Sequence, residues 1–151
     1  MSTILSGLLE SEQEPLLLGQ PVWVVFIVKN ETCAAVTVAN PYVGKPPAEL
    51  DWRFSDETYQ IALLQSFGLL SLSVIHAAIG ELANVGPQTW ITPLMPAPLE
   101  LAPGDTLRLR INLSDFFELN QAGRYRVTVE YGDEHARAKA DTELSIEERA
   151  N

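Results

Sequence analysis

The chain has 151 residues, 46% of them hydrophobic, with 20 acidic against 10 basic residues for a net charge of -10. That length buries one good core and leaves little for a second, so a single domain over residues 1–151 is expected. The acidic excess repels polyphosphate and anionic lipid, which sets aside nucleic-acid and membrane-surface roles.

Cys33 is the only cysteine, so packing and hydrogen bonds rather than disulfides must hold the fold, as suits a reducing compartment. Residues 1–9 lack a basic segment followed by a long apolar one. No run reaches the roughly 18 apolar residues needed to span a bilayer. The expectation is a cytoplasmic protein, or a secreted one if a signal peptide has been removed.

Taken in chain order, period-two runs bounded by turn residues dominate, which predicts an all-β fold. Val22 to Lys29 is apolar on both faces, the mark of a central or covered strand. After the polar break Asn30-Glu31-Thr32, the β-branched run Ala34 to Val38 is expected to return beside it as an antiparallel hairpin. Pro41, Pro46 and Pro47 make residues 39–48 a connection. Strands are expected at Leu50 to Phe54, Tyr59 to Leu64 and Leu70 to Ile75, with a short helical turn possible over His76 to Asn84. Pro87, Pro93, Pro96, Pro98 and Pro103 then interleave with Trp90, Ile91, Leu94 and Met95 in a long apolar loop.

The last third alternates most cleanly. Leu107, Leu109, Ile111 and Leu113 alternate with polar residues, as a half-buried strand requires. Ser114 is placed to cap one helical turn through Phe116 and Phe117. Tyr125, Val127, Val129 and Tyr131 form the inner face of a strand that turns at Gly132-Asp133 into the run Ala136 to Ile146, predicting a final hairpin.

Leu119-Asn120-Gln121-Ala122-Gly123-Arg124-Tyr125 is similar to the tyrosine corner of immunoglobulin-like sandwiches, with Tyr125 as the structural tyrosine. Three stretches extend the likeness: Leu101-Ala102-Pro103-Gly104-Asp105-Thr106-Leu107, Ile111 to Leu119, and Gly123-Arg124-Tyr125-Arg126-Val127. Together they resemble the Ig-like region preceding the catalytic domain of deuterolysin-type, lysine-specific metalloendopeptidases. The resemblance covers the C-terminal third and implies an immunoglobulin-like antiparallel β-sandwich of about seven to nine strands. The family's His-Glu-x-x-His zinc helix is absent from the chain, so its peptidase activity is not implied.

The chemistry-bearing residues do not gather in sequence. Neither a Gly-Lys-Ser/Thr motif nor a Gly-x-Gly-x-x-Gly run occurs. Ser66-Phe67-Gly68 lacks the second glycine of a nucleophile elbow. Cys33 reads as a small core residue, His76 as a strand-end histidine bonded locally, and His135 as a solvated turn residue. Glu10, Glu12 and Glu14 read as a solvated acidic edge. Arg108, Arg110, Arg124, Arg126, Arg137 and Lys139 are expected on one sheet face, in cross-strand pairs with Glu130, Asp141 and Glu143. Asn30-Glu31-Thr32 and Asn112-Leu113-Ser114 match the glycosylation sequon, which carries no weight without secretion.

No catalytic residue, cofactor or metal is therefore expected. The candidate interaction residues are Trp90, Ile91, Leu94 and Met95, either exposed together as a docking patch or folded down to close one end of the fold. The expected function is a non-catalytic protein-binding or scaffolding module with a protein partner or its own twin. The alternative is a peptidase-associated regulator or inhibitor acting through the Pro-rich loop 87–103.

Overall fold

The computed structural model describes residues 3–39, 56–86 and 98–148. The elements are β1 (Thr3–Ser11), β2 (Leu16–Leu17), β3 (Trp23–Lys29), β4 (Val36–Ala39), α1 (Asp56–Ser66), β5 (Leu70–His76), β6 (Gly80–Glu81), β7 (Pro98–Leu101), β8 (Thr106–Asn112), a 3-10 turn (Leu113–Asp115), β9 (Gly123–Gly132) and β10 (Ala136–Glu147). The fold is all-β, as the alternating runs imply, with one helix inserted. No described helix is long and apolar enough to cross a membrane.

Strand order is β6-β5-β9-β10-β1-β3-β8, with β2 beside β10 and a separate pair β4-β7. β1 joins two arms by changing partners. Thr3 to Leu5 run parallel to Ala136 to Ala138 of β10, whereas Ser6 to Ser11 run antiparallel to β3. Gly7 stands at the change. A Cβ there would lie 2.7 Å from the Lys139 carbonyl oxygen, so a glycine lets the two backbones approach.

Both arms turn their apolar faces to a common core. Val24, Phe26 and Val28 of β3, Leu107, Leu109 and Ile111 of β8, and Tyr125, Val127, Val129 and Tyr131 of β9 are all buried in it. Each such aliphatic side chain contributes about 1.5–3 kcal/mol. The outer face of β3 is covered in part: the Arg110 guanidinium lies 4.4 Å over the half-buried Trp23 ring, Val25 is buried, and Ile27 is half-buried.

Four expectations change. Tyr59 to Leu64 is helical, not a strand. Thr58, Tyr59, Ile61, Ala62, Leu63 and Leu64 are all buried, so no polar face marks the 3.6-residue period, and a short apolar run of this kind fits either structure. The helix stops in a Schellman arrangement, with Gly68 at φ +75°, Leu69 N–H donating to the Leu64 carbonyl and Gly68 N–H to that of Gln65.

β4 does not return beside β3; it pairs with β7 instead. Asn30 redirects the chain. Its amide donates to the Ala34 and Leu101 carbonyls, while its backbone exchanges hydrogen bonds with Asp105 and Gly104. Those contacts bind the loop after β3 to the turn before β8. They also bury the sequon side chain at Asn30 completely.

Residues after His76 form a tight turn into β6 rather than a helical turn. Ser114 is not the cap of the 3-10 turn. Asn112 caps it by accepting from Ser114 N–H, and the Ser114 hydroxyl accepts from Val22 N–H. The β9-β10 hairpin and the alternating β8 are as expected. The expected strand Leu50 to Phe54 lies outside the described residues.

Candidate functional site

Trp90, Ile91, Leu94 and Met95 lie outside the described residues. The segment leading toward them is anchored: Val85 N–H donates to the Phe116 carbonyl, and Gly86 packs against the Phe116 ring so closely that a Cβ would collide with it.

The other sequence candidates are dispersed. Cys33 is exposed in the Asn30 loop rather than packed in the core, because the Asn30 side chain occupies the buried position there. His76 is buried at the end of β5. Its Nδ1 accepts from Ala78 and Ile79 N–H, which places the proton on Nε2, 3.0 Å from the Ala122 carbonyl oxygen. The ring meets Tyr125 edge-on at 4.6 Å, and the Tyr125 hydroxyl donates to the Gln121 carbonyl at 2.5 Å. Burial raises the Tyr125 phenol above its ordinary range. His135 is exposed in the hairpin turn.

The basic residues do not form one face. Arg124, Arg126, Arg137 and Lys139 lie on the β9-β10 arm, while Arg108 and Arg110 lie on the outer face of the β3-β8 arm. Three are matched by carboxylates: Arg126 by Asp141 at 2.9 Å, Arg137 by Glu130 at 3.5 Å, and Arg110 by Glu12 at 2.7 Å. The Arg110 guanidinium hydrogen-bonds both Glu12 oxygens and holds that carboxyl below the usual range.

A different site emerges where β1 leaves β10. β9 pairs with β10 from Arg137 to Ile146 on one side. On the other side, β1 covers only Ala136 to Ala138, and β2 only Ile146 and Glu147. Residues 139–145 therefore present one backbone edge to which no strand is paired among the described residues, with Gly7 of β1 packed against the Lys139 backbone at its near end. The edge borders a cleft of 820 Å³ between the β1-β2 connection and β10, and a second, smaller one of 390 Å³, which shares Leu9 with it, lies beside Gly7 and Lys139. Leu9, Leu16 and Leu144 are buried residues in its lining. Glu10, Glu14, Glu143 and Glu147 are exposed along its rim; Glu10, Glu14 and Glu147 form no ion pair among the described residues, and Glu143 stands across from Arg126, which it shares with Asp141. No three described His, Cys, Asp or Glu side chains converge closely enough to hold a metal ion.

The sequence shows Glu10 and Glu14 as an acidic edge and Glu143 among the cross-strand charges, but it does not bring them together or add Glu147 and the leucines beneath them. The available signal was the odd-numbered outward positions of β10, of which Glu143 and Glu147 lie toward its C-terminal end. No protein-family model matches the chain, and no curated protein does so either. The geometry of the chain itself carries the functional reading.

Proposed function

We propose that this is a non-catalytic protein-binding module of immunoglobulin-like β-sandwich type, and that it holds its partner along the β1–β10 cleft. The observation that carries the binding role is the backbone edge at residues 139–145, left without a paired strand between two paired ends among the described residues. An exposed edge of this kind offers N–H and C=O groups to an added strand, and pockets beside it select side chains. The immunoglobulin-like assignment is supported by the Tyr125 hydrogen bond four residues upstream and by β1 dividing its pairing between two arms. The non-catalytic assignment is supported by the dispersal of His76, His135 and Cys33, with His76 committed to backbone partners.

Affinity capture from a native lysate tests the reading with two variants in parallel. A partner retained by the wild type and by Trp90→Asp/Met95→Glu, but lost with Glu143→Lys/Glu147→Lys, is the expected result. Loss only with the Trp90/Met95 variant would move the contact to the Pro-rich loop and contradict the cleft.

A further inference from the structure

We propose that the segment received by the cleft is an extended stretch of another protein in which lysine or arginine alternates with apolar or small residues. This rests on the reading of the cleft as a protein-docking edge.

The period of a strand sets the pattern. A chain laid along residues 139–145 continues the sheet, so its successive side chains point alternately to the core side and to the outer side. On the core side they meet the level of Leu9, Leu16 and Leu144, which suits apolar or small groups. On the outer side they meet the level of Glu143 and Glu147, with Glu10 on the facing wall of the cleft. The charges there differ from those elsewhere on the sheet. Arg110, Arg126 and Arg137 each have a carboxylate partner, and Glu143 stands across from Arg126, which it shares with Asp141, whereas Glu10, Glu14 and Glu147 form no ion pair among the described residues. Negative charge in excess of its cations thus borders the interior gap in the pairing of β10 among the described residues.

Cationic side chains would supply the missing partners and raise the rate of encounter. A second copy of this chain would bring the same rim carboxylates and a net charge of -10 of its own, so like charges oppose it. A metal ion would need carboxylates that converge, which these do not.

The test uses the full chain and three synthetic peptides: acetyl-Lys-Val-Lys-Ala-Lys-Val-Lys-amide, a block isomer with its four lysines together, and an analogue with serine in place of lysine. Affinity is read by fluorescence anisotropy and location by amide chemical shifts. The alternating cationic peptide should shift the amides of residues 139–145, and the block isomer should bind at least about tenfold more weakly. Glu143→Gln/Glu147→Gln on one wall, and Glu10→Gln/Glu14→Gln on the other, should each weaken binding about tenfold while leaving the thermal melt unchanged. If the serine analogue shifts the same amides with equal affinity, the docking edge stands and the basic-partner inference is overturned. If no peptide shifts them, both fall, and the carboxylates act only to keep a bare edge from pairing.

Discussion

Along β9, strand β10 is hydrogen-bonded from Arg137 to Ile146, and two of the basic side chains on that shared face meet carboxylates across the pair. On its other side the same strand is paired only at its ends among the described residues, and of the rim carboxylates Glu10, Glu14 and Glu147 form no ion pair there while Glu143 shares Arg126 with Asp141. One strand thus has a closed edge and an open one. Across the paired edge two ion pairs form; beside the open one, Glu10, Glu14 and Glu147 lie without one among the described residues. The difference separates what holds the fold from what remains free to bind.

The closed edge should be the sensitive one. Gly132 stands at its hairpin end with φ +131°, and a Cβ there would collide with the Ala136 carbonyl oxygen. Gly132→Ala should lower stability by at least about 1–3 kcal/mol from the backbone conformation alone, read as the shift in urea midpoint. A change below that range would mean that the hairpin is looser than its pairing implies. At the opposite end of β9, Tyr125→Phe removes a buried hydroxyl and leaves the Gln121 carbonyl without that donor. The expected loss is about 0.5–1.5 kcal/mol, with the fold retained by amide spectra.

The smallest effect concerns Glu12, a paired carboxylate near the open edge. Its folded-state pKa is lowered by Arg110, so the pair's contribution is present above the unfolded carboxylate range and is lost as pH falls through the lowered folded value. Both groups are solvated, which limits the contribution to about 1 kcal/mol or less. The stability difference between wild type and Glu12→Gln should be measurable at pH 7 and vanish on acidification. A difference that persists in acid would assign the effect to packing rather than charge.

How far these features were legible in the sequence depends on what covers each element. β8, β9 and β10 could be read because each covers one face and wets the other, so alternation at Leu107 to Ile111 and Tyr125 to Tyr131 reports the core directly. α1 was misread because its residues are buried on most sides and give no stripe, although Gly68 marked its end. The partner of β4 was misread because Asn30 bonds to Leu101, a contact across 71 residues that no local pattern carries. The open edge is harder still. It depends on which strands fail to pair, and therefore on β1 changing partners at Gly7, which a strand-by-strand reading cannot register.

Amide hydrogen exchange across residues 139–145, with and without the alternating cationic peptide, tests the open edge most directly. In the free protein, amides directed to β9 should be protected and those directed to the cleft should exchange fast, with the second set slowing when the peptide is added. Uniform protection in the free protein would show that the edge is already closed, and unchanged fast exchange at saturating peptide would show that nothing pairs there; either result contradicts the account.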